Sequence, residues 1–398
     1  MKILQVHNEY QHLSGEGVVV ASEKKMLEKY GHEVVQWIPE SSSIQKLSAL
    51  SKAKVALDSL WSLPSYQYAK GMLREHKPDI VHVHNTIPLV SPSVYAACHE
   101  ASVPVIHSLH NFKLVCPGAY LYRDGQVCED CLGKTVPYPA MANSCYRNNR
   151  IQTTVASAGL TLNHLRGTYQ NEVDIYIALT RFARQKFIQG GLPAHKIAVK
   201  PNFVSEDIQS GTHAGKYALF VGKLLQYKGI ETVLRAWDML DGEIPLKIVG
   251  QGPLEILLRG SLPSNVEYLG SLPRNKVLQL MQEATLVVFA SEWYEGFPMT
   301  ITEAFATGCP VVAARMGAAS EIVKDGSSGW YFEPGDSHDL VKVMKEAWSN
   351  PQELLRRGGL ARRQYDECYS IEKNHQITMS IYQSAIRWLK EKKVADIF

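Results

Sequence analysis

Two patterns of apolar residues alternate along the 398-residue chain. Short, dense aliphatic runs at 3–6, 32–37, 79–84, 103–108 and 174–179 read as buried strands. Longer stretches with helical spacing separate them. Residues 18–30 form one, closed by Gly31, and residues 41–76 another, with breaks expected at Pro64 and Gly71. The segment Ser14-Gly15-Glu16-Gly17 reads as a loop, and 112–150 as irregular. Residues 200–215 hold Pro201, Gly211 and Gly215 and little periodicity, so they read as a linker. Beyond it the pattern restarts: strand 217–221, helix 229–240, strand 246–249 and strand 285–290. A last helical stretch, 371–393, carries an apolar face. Strand–helix alternation of this kind predicts an α/β protein with two doubly wound, Rossmann-like domains facing a cleft.

Composition narrows the class. Hydrophobic residues at 45% and charged residues at 20% are those of an ordinary globular protein. A net charge of +3 is too mild to point to nucleic acid. No apolar run approaches the ~18 residues of a spanning helix. The start, MKILQVHNEY, turns polar by residue 7 and reads as a strand rather than a signal peptide, which places the chain in the cytoplasm. Seven cysteines, an odd number, argue against a secreted disulfide framework.

Candidate chemistry concentrates in SEWYEGFPMTITEAFATG, where seven residues separate Glu295 from Glu303. Gly296 and Pro298 interrupt helix at the start, so the segment reads as strand, tight loop and helix N-terminus. Such an N-terminus offers unpaired N–H groups to a phosphate, and carboxylates accept hydrogen bonds from sugar hydroxyls. Lys223 and Lys228 follow strand 217–221 and can neutralise a departing diphosphate. Gly15 and Gly17 allow close approach of backbone to a phosphate. His110 ends a strand-like run, where ligands of such sheets bind, and is the candidate to orient hydroxyls or move a proton. His84, at the neighbouring strand end, is expected to line the acceptor side. Cys116, Cys128, Cys131 and Cys145 fall within 30 residues with a C-x2-C centre. They read either as a closed structural zinc site, as buried thiols or as disulfides.

The pair of glutamates resembles the E-x7-E signature of retaining, family 4 glycosyltransferases with the GT-B fold. The resemblance extends through VGKLLQYKG, LKIVGQGP, VEYLGSLP and GCPVVAARMGAASEIVKDGSSGWYFEPGD, in the family's order. It implies an acceptor-binding domain at 1–200, a linker at 201–214 and a nucleotide-sugar-binding domain at 215–370, with a C-terminal helix at 371–398 crossing back onto the first. It further implies that Glu303 receives the ribose hydroxyls and Glu295 the transferred sugar. The N–H groups of Phe297, Met299 and Thr300 beside Gly296 would hold sugar and diphosphate, with a histidine near His110 against the sugar. Lys223 departs from the family's usual arginine, and SGEG from its usual Gly pair. HNFKLVCP…CEDC resembles a Cys-bearing insert in a subset of these enzymes.

The resemblance predicts retaining transfer of a hexosyl group from a nucleoside diphosphate sugar to a hydroxyl of a glycan, a lipid-linked saccharide or a small glycoside. It implies no divalent metal for catalysis and leaves room for contact with the inner face of a membrane. The alternatives are a GT-B epimerase, a nucleotide-sugar-binding protein without turnover, and a nicotinamide dehydrogenase. The last lacks its fingerprint, because Gly15-Glu16-Gly17-Val18-Val19-Val20 has no final glycine.

Overall fold

The computed structural model describes residues 1–9, 15–260 and 262–395; Ser14 lies outside them. The chain divides into two compact units, Met1–Leu121 with Glu129–Lys200 and Asn374–Phe398, and Tyr122–Cys128 with Pro201–Lys373.

The first unit is built on strands β1 (Lys2–Val6), β2 (Glu33–Trp37), β3 (Ile80–Val83), β4 (Val105–Leu109), β7 (Ile175–Ala178) and β8 (Ile197–Val199). Their order is β2-β1-β3-β4-β7-β8, with every neighbouring pair parallel. β3, β4 and β7 are buried throughout, which is why they read as unbroken apolar runs: helices cover both faces of a parallel sheet. The helix Gly15–Lys29 buries Val19, Val20, Met26 and Leu27 along one stripe, and Glu23 with them. Gly15 and Gly17 therefore begin this helix rather than forming a loop. Glu16 in the first turn favours that start, since a carboxylate there meets the positive dipole end.

Residues 41–76 divide differently from their pattern. A 3-10 turn, Ser41–Lys46, precedes the helices Ala49–Asp58 and Leu63–His76, capped by Ser48 and Ser62. Pro64 sits in the first turn, where its missing N–H costs nothing, and so starts a helix instead of breaking one. Gly71 stays helical at the usual penalty of about 1 kcal/mol. The 112–150 segment is less irregular than expected. It contains an antiparallel ribbon, β5 (Tyr122–Arg123) and β6 (Gln126–Val127), which groups with the second unit.

The second unit carries β9 (Ala218–Val221), β10 (Leu246–Val249), β11 (Val266–Tyr268), β12 (Leu286–Phe289), β13 (Val311–Ala314) and β14 (Gly329–Phe332). The order is β11-β10-β9-β12-β13-β14, again wholly parallel. Trp237 is fully buried and donates its indole N–H to the Ile244 carbonyl at 2.8 Å. Residues 201–214 are packed into this unit: the Gly211 N–H donates to the Thr307 carbonyl at 2.8 Å, and the His213 ring reaches the Ala284 and Thr307 carbonyls. The last helix, Ile371–Ala395, returns to the first unit from Asn374 onward, and buried Tyr382 places its hydroxyl 2.8 Å from His82 Nδ1.

Candidate active site

Strand order reverses between β9 and β12 in the second unit, and ligands of such sheets bind outside the carboxyl ends of the strands at that point. Lys223 lies two residues beyond β9 and is exposed. Lys228 closes a 3-10 turn, Gln226–Lys228, just before the helix Ile230–Met239. Gly229 between them has φ +72°, and a Cβ there would stand 1.9 Å from the Ala290 carbonyl oxygen. Only glycine lets the β9 loop pass this close to the end of β12. Lys228 Nζ then donates to Glu295 Oε1 at 2.6 Å, and the Ser291 hydroxyl donates to the same oxygen. The ammonium also stands over the Trp293 ring, 5.6 Å from its centroid. Tyr227 packs on Trp293, and Glu292 accepts from Thr232 at 2.6 Å. The ion pair, the Ser291 hydroxyl and the Trp293 ring thus hold Glu295 and Lys228 together.

The helix Met299–Thr307 starts beyond Pro298. Its first N–H groups, those of Met299 and Thr300, precede any intrahelical acceptor. Gly296 is half-buried, and Phe297 is buried against Tyr369. Glu303 is the fifth helical residue, beyond the first turn. It is buried, and burial pushes its carboxyl up, opposed by the Arg274 guanidinium paired with it. Arg274 also holds Glu206, with Nη2 3.0 Å from Oε2. Neither Arg274 nor Glu206 stood out in the sequence. Each is distant along the chain, and arginine after SLP carries no motif.

In the first unit the order reverses at β1 and β3. His110 directly follows β4 and is half-buried, and burial holds its ring well below the usual histidine range. Its Nε2 lies 2.9 Å from His84 Nδ1. His84 is 3% exposed and enclosed by Gln5, Glu23 and His110, so it does not line an open acceptor face as the pattern of strand ends suggests. Buried His7, held down to about 3 by desolvation and by His84, faces Glu16 at 3.5 Å. Glu16 also accepts from Asn111 at 3.5 Å. Gly15 is exposed, and among the described residues a Cβ there would meet nothing within 4 Å, so none of them requires glycine at that position.

The cysteines divide between the units. Cys116 and Cys145 meet beside Gly118: a Cβ on that glycine would be 3.8 Å from Cys116 Sγ and 3.5 Å from Cys145 Cβ. Cys131 is buried near them in sequence, and Cys128 ends the ribbon that groups with the second unit.

Two wholly parallel α/β units with charged residues at their switch points make the GT-B architecture. The structure of Anabaena Alr3699/HepE in complex with UDP has the same fold, with a TM-score of 0.66 at 19% identity over 96% of this chain and 100% of that one. The family follows from the sequence. The Glycosyltransferase Family 4 model matches residues 13–208 and the Glycosyl transferases group 1 model residues 205–364, and the chain belongs to this glycosyltransferase family. The O-antigen chain mannosyltransferase C of Escherichia coli is 30% identical over 181 residues, which is 44% of this chain and 48% of that protein. This chain therefore spans about half the length of that relative. An uncharacterized 42.6 kDa protein in the cps region of Klebsiella pneumoniae is 24% identical over 347 residues, covering 83% of this chain and 84% of its own.

Proposed function

We propose that this protein moves a hexosyl group from a nucleoside diphosphate sugar to a hydroxyl of a glycan or lipid-linked saccharide, with retention at the anomeric carbon. The Lys228–Glu295 pair, fixed at the switch point of the second unit beside the open N-terminus of the helix Met299–Thr307, carries this reading. The helix N–H groups and the two lysines would receive the diphosphate, and Glu295 and His110 the sugar hydroxyls. The bond from the anomeric carbon to the phosphate oxygen breaks, and its electron pair leaves with the diphosphate. Lys228 and Lys223 offset the charge that develops there, without demanding a metal. The acceptor oxygen bonds to the same face of the carbon, and its proton passes to the departing phosphate oxygen. Glu303 would accept from the ribose while remaining paired with Arg274.

On the acceptor side, a cavity of about 300 Å³ opens at the ends of β1 and β2, lined by His7, Glu9, Lys24, Lys25 and Gln36. Apolar atoms make up most of its exposed lining, those of Val20, Ala21 and Ile38 among them, and the polar groups of Glu9, Lys24, Lys25, Glu28 and Gln36 are the ones that can meet acceptor hydroxyls. A lipid-linked acceptor would bring the protein to a membrane surface, and the first unit has an exposed apolar, basic face fit for one. A structural zinc ion held by cysteines of this segment is also proposed, supported by Cys116 and Cys145 standing together beside Gly118. Zinc or iron in metal-analysed protein purified without added metal would support it, and absence of both would refute it.

Thermal stabilisation by UDP, GDP and ADP, with NAD as control, tests the transfer reading. A ligand that binds only the folded state raises the melting temperature. One diphosphate should stabilise and NAD should not; stabilisation by NAD alone would reverse the conclusion.

A further inference from the structure

Glu23 is the residue on the buried stripe of the first helix that does not belong in an apolar core. It is 1% exposed. Its Oε1 accepts from Lys200 Nζ at 2.8 Å, and Lys200 also reaches Asn374 Oδ1 at 3.2 Å. Its Oε2 lies 3.1 Å from His84 Nε2 and 3.5 Å from His82 Nδ1. His84 continues the chain through its Nδ1 to His110 Nε2 at 2.9 Å, the two rings stacked with centroids 5.2 Å apart. His82 is engaged elsewhere, with Nδ1 on the Tyr382 hydroxyl and Nε2 on the Ser108 hydroxyl, each at 2.8 Å.

Stability is a weak reason for such a cluster, since a buried ion pair is often no better than an apolar replacement. A metal ion fits poorly as well. Ligand atoms of Glu23, His82 and His84 come within 4.8 Å of one another. Yet the Lys200 ammonium already occupies the carboxylate, and both His82 nitrogens are bonded. A cation would stand beside a fixed positive charge.

What the line of groups can do is fix the position of a proton. A carboxylate only accepts. In a neutral His84 ring, the nitrogen that faces Glu23, Nε2, is the one favoured to carry the hydrogen, which leaves Nδ1 as the lone pair. The hydrogen between the two rings then belongs to His110 Nε2, which leaves His110 Nδ1 as an acceptor. Gln5 Nε2, 3.3 Å from His84 Nε2, would ask for the opposite arrangement. That amide also donates to the Val20 carbonyl at 3.2 Å, and a charged acceptor at shorter range prevails over it. The 3.1 Å contact from His84 Nε2 falls outside hydrogen-bond geometry and leaves Glu23 Oε2 without a hydrogen bond, so the preference for a proton on Nε2 rests on the field of the buried carboxylate.

We propose that Glu23, acting through His84, is a positioning residue that holds His110 as its Nε2–H tautomer, so that His110 offers a hydrogen-bond acceptor to a hydroxyl of the donor sugar. The second half of this statement rests on the function proposed above; the first does not.

Nitrogen chemical shifts of ¹⁵N-histidine-labelled, ligand-free protein read the tautomers directly, with His110→Gln supplying the assignment. The native protein should show His110 protonated at Nε2 and bare at Nδ1. In Glu23→Gln the new amide can donate to His84 Nε2, and both tautomers should reverse. Because that variant leaves the Lys200 ammonium buried without a counter-charge, Glu23→Gln with Lys200→Met is measured beside it, and the same reversal is expected. A native His110 protonated at Nδ1, or unchanged tautomers in both variants, would overturn the proposal. Where the tautomer reverses, kcat should fall roughly 10-fold, the worth of one hydrogen bond, while nucleoside diphosphate affinity is kept. Reversal with full kcat would uphold the relay and refute the contact between His110 and the sugar.

Discussion

At the scale of single residues, the donor site is held by side chains that restrain one another. Lys228 is 20% and Glu295 13% exposed, so the pair is shielded enough to be strong yet open enough to meet a ligand. Lys228→Ala should therefore lower kcat by about 10²-fold or more, as loss of a charge facing a departing anion does, with little change in melting temperature. Proportionate loss of both would make the lysine structural. Arg274 offers a sharper test. Its charge opposes the upward push that burial gives the Glu303 carboxyl. In Arg274→Ala that opposition is gone, and Glu303 should protonate at higher pH. A protonated carboxyl is a poorer acceptor, so nucleoside diphosphate affinity of the variant should weaken from pH 8 to pH 5.5 more steeply than that of the native protein. Parallel pH dependences, measured by calorimetry, would remove Glu303 from the ribose contact.

At the scale of elements, the helix Arg150–Leu165 shows two faces. It buries Thr153, Ser157, Gly159 and Asn163 and exposes Ile151 and Leu165 at 77% and 71%. Beside it runs a groove of about 440 Å³ lined by Leu60, Val136, Met141, Ala158, Leu162 and Leu165. The nearby helix Ala49–Asp58 adds Leu50, 86% exposed, with Lys52 and Lys54. Between Lys134 and Asn171 the chain has Arg147, Arg150 and Arg166 and no acidic residue. Apolar side chains among which positive charge predominates, with Asp58 the one acidic residue of these two helices, match an anionic bilayer surface. Co-sedimentation with vesicles rich in phosphatidylglycerol should exceed that with phosphatidylcholine, and Ile151→Ser with Leu165→Ser should reduce it. Equal, negligible pelleting with both lipids would dismiss the surface.

At the scale of the whole molecule, buried histidines tie stability to pH. His7 and His107 are held to about 3 by desolvation, and His82 and His110 lie well below their ordinary value. An unfolded histidine titrates near ~6.5. Below that pH the unfolded chain takes up protons that the native core refuses, so stability is full above it and falls as pH drops toward 3. Buried Glu23, held low by Lys200 and the histidines after its own desolvation cost, acts in the same direction at lower pH. The melting temperature should fall between pH 7 and pH 5, and His107→Asn should flatten that slope; a pH-independent melting curve would contradict the account. Lys200 and Asn374, the first unit's residues at two of the chain's passages to the second, both reach Glu23, so this titration acts where the chain leaves the unit.

Much of this was legible in the chain, because local rules wrote it there. Parallel strands buried on both faces must be apolar throughout, and a loop that passes a strand end as closely as Gly229 passes Ala290 must be glycine. The motif residues Lys228 and Glu295 consequently stood out, although only folding brought them to 2.6 Å. What the linear pattern could not carry is pairing between distant residues of ordinary type. Arg274 with Glu303 is one case and Glu23 with Lys200, 177 residues apart, another. On a helix the spacing of Glu23 marks a core position and its charge marks a surface one. Only the tertiary structure, by supplying a buried ammonium and an imidazole, decided for the core.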